Sequence, residues 1–340
     1  MNCTTQKDFH LLAFSCSEED LPFLFMGLLM IYLTAVLGNM MIIVLVCLVS
    51  QLHTPMYFFL CNLAFQDIIS VSAFLPKLMV ITITGDTSIS FPRCITQVFL
   101  FTFCMGIDIF LLAAMAYDRY VAICIPLRYY LIMNPRVCVL LVTMAWILFI
   151  PNSMCFSLLL SGLSFCKSRE MNHFFCDLKM LLEISSSDTS HIKQLMSAEI
   201  PFTGILPFVL ILTSYVYVIT SIIKLRTSAA RFKAFSSCSS HLTVVLLLCG
   251  TCIGIYIKPH SENSQEEEKF LSLLYIGVVP MLNPLVYSLR NRQVWSAAKV
   301  LLTKYVPGTL YSLIQSVKFT KERTGENLLK EYWYNTAYST

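Results

Sequence analysis

Asp118, Arg119 and Tyr120 follow the apolar run Val98 to Ala116, which carries one charge, Asp108. An acid beside a base at the end of such a run can work as an ion-pair switch. Asp118 holds Arg119 locally, and breaking the pair frees a cation. At a membrane edge the pair costs less than at mid-membrane, because both side chains reach interfacial water. A plain interfacial anchor needs the same residues, so the surroundings must decide between the two. Asp67 and Asp108 are acids inside apolar runs. An ionisable group at membrane depth is by default a functional-site candidate. If they converge, they either share a sodium ion, since hard cations take oxygen ligands, or form a protonated or water-bridged cluster that fixes packing. Both readings stay open, and no other cofactor is implied. Asn283-Pro284 interrupts a further apolar run. The proline frees a backbone carbonyl and kinks a helix, and Asn283 can satisfy the freed group. Tyr287, one turn on, and Tyr215 can each swing toward Arg119; a purely structural kink is the alternative. No glycine-rich phosphate loop, zinc-type Cys/His spacing or Ser/His/Asp arrangement stands out, so an enzyme is the least supported class.

Hydrophobicity sets the elements that must position these residues. Of 340 residues, 56% are hydrophobic and 13% are charged, where a soluble domain carries about 25% charged residues. The apolar residues fall into blocks of about 20, the length that spans a bilayer as a helix. Seven spans result, at 23–49, 57–80, 97–125, 139–162, 196–224, 236–258 and 269–290. Blocks of this length exceed barrel strands, so only helices fit. The expected fold is an all-α membrane protein, a seven-transmembrane helix bundle. Residues 1–22 read as an extracellular N-terminus, 23–290 as the bundle and 306–340 as a cytoplasmic tail. Within 291–305, Val294, Ala298, Leu301, Leu302 and Tyr305 share one helix face, while Arg292, Lys299 and Lys304 leave from the other sides. That pattern fits a short amphipathic helix on the inner membrane surface. Residues 1–20 are mostly polar and precede a long span, so the first span is expected to be an uncleaved signal anchor.

Charge gives the orientation. With residues 1–22 outside, the inner segments carry Arg128, Arg136, Lys224, Arg226, Arg231, Lys233, Arg290, Arg292, Lys299 and Lys304, with no acid between Arg119 and Lys304 on that side. Acids such as Glu170, Asp177, Glu183, Asp188 and Glu262 fall in the outer segments. The positive-inside rule then puts the C-terminus in the cytoplasm, and an odd number of spans agrees. Net charge is +4, too small to imply nucleic acid. Asn2-Cys3-Thr4 is a glycosylation sequon on the outer side. Most of the 14 cysteines lie in apolar runs as small hydrophobes. Cys94 and Cys176 both face the oxidising side, where a disulfide is expected to pin the long outer loop over the bundle mouth. Cys166 shares that loop and is expected to lack a partner. Asn39 in span 1 should hydrogen-bond to a neighbouring helix.

Several motifs in order resemble the olfactory receptors, within the rhodopsin-like G-protein-coupled receptors. They are Leu52-His53-Thr54-Pro55-Met56-Tyr57-Phe58-Phe59-Leu60, Met115 to Cys124, Ser214-Tyr215, Lys233 to Leu242 and Pro280 to Asn291. The resemblance covers about residues 20 to 303, and the first motif is similar to that of the larger, class II group. It implies a multi-pass plasma-membrane receptor for small, often volatile odorants. Its partners would be an odorant, a heterotrimeric G protein of the stimulatory olfactory type and the lipid membrane, with cyclic AMP as output. By motif, Asp118, Arg119 and Tyr120 belong to the G-protein switch and Asn283, Pro284 and Tyr287 to the activation hinge. Cys94–Cys176 matches the receptor disulfide, and Asp67 with Asp108 the acidic pair linked to sodium. Three departures stand out. Ser186 sits where the family has a further outer-loop cysteine, Leu248-Cys249-Gly250 replaces Phe-Tyr-Gly, and the tail at 304–340 is longer and more aromatic than usual.

A ligand pocket is expected to open outward between spans 3, 5, 6 and 7. Its candidate lining is Phe101, Thr102, Met105 and Gly106 from span 3, Glu199 and Thr203 from span 5, and Cys252, Ile253 and Tyr256 from span 6. Most are apolar, which suits an apolar ligand held by contact area with few polar anchors. Met105 and Tyr256 lead among them, and Glu199 either meets an amine or faces interfacial water. A poorly coupled or non-signalling receptor-like protein is the alternative. A channel or transporter would need pore-lining ionisable residues or an internal repeat, and the chain offers neither.

Overall fold

A computed structural model describes residues 8–14, 17–166, 168–257, 262–289 and 292–305. Side chains at 229–230, 233, 236–237, 253, 255–257, 262–265, 288–289, 292–293 and 302–305 lie outside that description. The apolar blocks form a seven-helix bundle. Spans 1 to 4 are Leu21–Leu48, Pro55–Thr84, Phe91–Cys124 and Pro135–Ser161. Span 5 is Ser190–Ile223, with a π-helical turn at Pro201–Ile205. Span 6 is the helix Ser228–Ile257. Span 7 runs from Glu262 to Leu289 through a second π-helical turn, Leu274–Val278. Six of these helices are long and apolar enough to cross a membrane, and the described part of span 6 adds a shorter apolar stretch, Cys238–Cys252. Starts differ from the sequence reading by up to eight residues, because helix ends run into polar caps that hydropathy does not register. Asn134, for example, caps span 4 by accepting from the Val137 N–H at 3.1 Å.

Span 3 is the central element and packs against spans 2, 4, 5 and 6. Its Gly106 allows the closest approach, since a Cβ there would run into the Phe149 ring of span 4. Spans 1, 4 and 5 instead leave Phe23, Leu37, Leu158 and Val216 exposed. Exposed apolar stripes on helices of this length are what hydrocarbon requires of its solvated face.

Span 7 is tied to span 1 at its proline. Pro284 has no N–H, so the Pro280 carbonyl one turn earlier loses its helical donor. Asn39 supplies one: its Nδ2 donates to Pro280 O at 2.9 Å and to Ala35 O at 2.9 Å. This bears out the interhelical role expected of Asn39 and relocates the repair expected of Asn283. The Asn283 amide is turned to Asp67 instead. After span 7, helix Arg292–Tyr305 buries Val294 and Ala297 and half-buries Ala298 and Leu301 against the bundle.

The outer face carries structure that the all-α reading did not anticipate. Strands β1 (Phe9–Leu11), β2 (Ser88–Ile89) and β3 (Glu170–Met171) form a small sheet in the order β2-β1-β3. β1 runs antiparallel to β2 and parallel to β3. Strands of two or three residues are too short for any period to register in sequence. Phe9, Leu11, Ile89, Phe91 and Met171 form a second core with Cys94 and Cys176, separate from that of the bundle. The Cys94–Cys176 disulfide is present. Cys166 is disulfide-bonded too, against expectation. Ser186, in place of the family cysteine, accepts the Cys166 N–H at 3.0 Å, so the two loop segments stay together through a hydrogen bond there.

Candidate functional site

At the inner end of span 3, Arg119 Nε donates to Asp118 Oδ2 at 3.0 Å, and Asp118 is fully buried. The other carboxylate oxygen accepts from the Tyr129 hydroxyl at 2.7 Å. Tyr129 stands just past span 3, in the short helix Tyr129–Ile132. Burial, then the Asp118 charge, push its phenol up, so it stays a donor. Tyr215 of span 5 is hydrogen-bonded to His241 Nδ1 of span 6, and the rings stack at 5.7 Å. The Tyr287 hydroxyl of span 7 is buried with no hydrogen-bond partner among the described residues. Ser240 joins spans 6 and 7 through Val286 O at 3.0 Å. Tyr120 packs its ring on Tyr217 of span 5, 5.7 Å away. The inner end thus holds Arg119 by its neighbour and Tyr215 by a histidine, with the Tyr287 hydroxyl unpartnered among the described residues.

Half-way along the bundle lies a polar layer. Asn283 Nδ2 donates to Asp67 Oδ2 at 2.8 Å. The Tyr275 hydroxyl donates to Asp108 Oδ2 at 3.1 Å. Asp67 and Asp108 are within electrostatic reach of each other. Among the described residues Asp108 Oδ1, Asn283 Oδ1 and both polar atoms of Gln66 have no hydrogen-bond partner. These oxygens are the donor set a small hard cation takes. No third His, Cys, Asp or Glu joins the two acids as a metal ligand among the described residues.

The outer end is filled by the loop that Cys176 pins. Phe174 and Phe175, directly before the disulfide, are buried. Phe175 packs against Phe101 at 5.0 Å and Phe74 at 5.2 Å, and Phe101 meets Tyr275 edge-on at 5.9 Å. Phe101 is therefore part of an aromatic floor. Thr102 turns its hydroxyl back to Val98 O at 3.0 Å, and Gly106 faces Phe149. Met105 and Cys252 are half-buried against the bundle core. Glu199 is bonded to the Asn152 amide at 3.5 Å, while Thr203 donates to Glu199 O at 3.1 Å. The side chains of Ile253 and Tyr256, and the sequon residue Asn2, lie outside the described residues.

Above the floor, Lys179 of the outer loop pairs with Glu268 of span 7 at 3.0 Å. Lys269, 1% exposed, donates to Ala13 O at 2.8 Å and to Glu266 at 2.7 Å. His173 is buried beside Phe174 and Phe175. Burial, with Lys269 and Lys179 nearby, lowers its pKa from 6.5 to about 3. Asp177 caps the loop helix Leu178–Ile184, and burial raises its pKa to about 6.

Sequence reasoning missed Tyr129, His241, Tyr275, Phe174 and Phe175. His241 sat inside a quoted motif without a role and Tyr129 lay just past another, while the loop phenylalanines precede Cys176 and so had to enter the bundle with it.

The family model described as "Olfactory receptor" matches residues 28–304. The chain belongs to the olfactory receptor family. "Olfactory receptor 1" of Rattus norvegicus is 44% identical over 303 residues, covering 89% of this chain and 96% of its own length. "Olfactory receptor 1E16" of Mus musculus matches equally well, at 44% over 303 residues. "Olfactory receptor-like protein I9" of Rattus norvegicus is 44% identical over 312 residues, 91% of this chain and 99% of its own. Olfactory receptors are G-protein-coupled receptors and not enzymes, and the apolar helices agree with a multi-pass plasma-membrane protein.

Proposed function

We propose that this chain is an odorant receptor that binds small, mostly apolar volatile molecules in an outward-opening pocket. Binding activates a stimulatory olfactory-type G protein and raises cyclic AMP. Family membership supports the receptor role. The coupling step rests on one observation, the restrained inner end. Arg119 is bonded to Asp118, Tyr215 to His241, and the Tyr287 hydroxyl has no hydrogen-bond partner among the described residues. That is a resting arrangement. An odorant that fits an active packing better shifts the population by its difference in affinity for the two. In that packing Arg119 leaves Asp118 and faces the transducer, with Tyr215 and Tyr287 as its new neighbours.

The proposed arrangement keeps 1–22 outside, the bundle at 23–290, a membrane-surface helix at 291–305 and a cytoplasmic tail at 306–340, with glycosylation at Asn2. Sodium at Asp67 and Asp108 would hold the resting packing. The polar layer's spare oxygens support this. Cyclic AMP assays against an odorant panel, on wild type and Arg119→Ala at matched surface expression, test the reading. Wild type should respond to at least one odorant and the variant to none. Equal responses remove Arg119 from the mechanism. The second reading, a poorly coupled receptor, is favoured by Leu248-Cys249 in span 6, where the family carries an aromatic pair. Surface labelling of intact cells, followed by the same panel, separates the two.

A further inference from the structure

Tyr275 has no part in the reading above, yet its side chain touches two regions at once. Its ring meets Phe101 edge-on, with centroids 5.9 Å apart, and Phe101 packs on Phe175 of the outer loop at 5.0 Å. Its hydroxyl donates to Asp108 Oδ2 at 3.1 Å. One buried residue therefore joins the aromatic floor under the loop to the polar layer at mid-bundle. Span 6 meets this layer with Cys252, which has neither a ring nor a strong donor.

The backbone at Tyr275 is special as well. Leu274–Val278 is a π-helical turn between two α-helical halves of span 7. A π turn closes i→i+5 hydrogen bonds and holds one extra residue, so relaxing it to an α turn changes the register of one half against the other. The half that would move carries Asn283, Pro284 and Tyr287. Such a turn persists where side chains hold it. Here Tyr275 is anchored by Asp108, and Tyr275, Ile276 and Gly277 are all buried.

We propose that Tyr275 is a positioning residue that couples the outer aromatic floor to the polar layer, its bond to Asp108 holding the π-helical turn of span 7 in the resting packing. The proposal rests on the pocket reading given under Proposed function. A ligand that displaces Phe175 or Phe101 tilts the Tyr275 ring, breaks the bond and releases the inner half of span 7.

The test needs no odorant, so its failure is distinct from failure of the odorant panel. The full-length receptor and its Y275F, F175A and doubly substituted forms are placed in lipid nanodiscs. Backbone hydrogen exchange is then followed across 270–283. Losing one buried hydrogen bond should speed exchange at Leu274–Val278 roughly fivefold in Y275F, with Ser88–Ile89 unchanged. F175A should speed exchange at the same turn in the wild-type background and add nothing in Y275F. Unchanged exchange in Y275F overturns the proposal. So does an F175A effect of equal size in both backgrounds, because the two residues then act independently. If Y275F does not fold, Asp108→Ala breaks the same bond from the other side, and its exchange at that turn is judged by the same criterion.

Discussion

Asp118 is held from two sides, by the Arg119 guanidinium and by the Tyr129 hydroxyl. Tyr129→Phe removes one part-buried charge-assisted bond, worth about 1.5 kcal/mol at the low end of the range for charged groups, and leaves the ring packing in place. Ligand-free cyclic AMP, measured at matched surface expression, should rise at least severalfold. No rise would make Tyr129 a bystander. In the outer loop two groups titrate with opposite sign. His173, lowered to about 3 from 6.5, is neutral in the fold, so its contribution is present above pH 6.5 and is lost as pH falls toward 3. Asp177, raised to about 6 from 3.8, binds its proton more tightly in the fold, so its contribution is full below 3.8 and is lost as pH rises through 6. Thermal unfolding of purified receptor should therefore respond oppositely to the two substitutions. Between pH 6 and pH 4, His173→Phe should gain stability on acidification and Asp177→Asn should lose it. The same sign for both would refute the assignment. Residues in these roles were only partly legible in sequence. Asp118, Arg119 and Asp67 stood out because charge in an apolar run is costly. Tyr275 did not, because aromatic residues in apolar runs are the norm, and Tyr129 and Phe175 did not, because they lie in connecting segments; only contact geometry marks them out.

Among elements, the tightest constraints lie where a glycine meets a ring. Gly106 admits Phe149 of span 4, and Gly38 admits Pro284 of span 7, whose Cγ would be 2.7 Å from an added Cβ. Overpacking of this kind costs about 1–3 kcal/mol. Gly106→Ala should reduce surface expression, and Phe149→Leu in the same chain should restore it. Expression that stays low in the double variant would deny the contact. The spans themselves were legible because lipid demands long apolar helices, a demand that composition meets openly. The π turns at Pro201–Ile205 and Leu274–Val278 were not, since one extra residue in a turn leaves hydropathy unchanged. The outer sheet was hidden for a related reason: its strands pair with residues 78 or more positions away, not by any local pattern.

For the whole molecule, the proposal fixes a sidedness and a way of holding the mouth. Epitope tags at the two ends should be read on opposite faces of intact cells; both on one face would undo the topology. Replacing sodium by choline should lower the unfolding temperature of wild type and leave Asp67→Asn unmoved, whereas equal responses would favour a packing cluster over an ion. The proposed sidedness comes from charge alone, since the cations of the inner segments stand there without acids. The location of the pocket was less so, because candidates such as Thr102 and Gly106 turn to helix neighbours in a way no spacing rule fixes.

The little sheet over the mouth bears on timing. Phe9–Leu11 is stitched to two outer loops, and Ala13 is clasped by Lys269. Under the proposed outward-opening pocket, a solute arriving from water waits for those bonds to part, whatever its own fit inside. Different agonists at saturating dose should then share one latency and differ only in how slowly their signals fade.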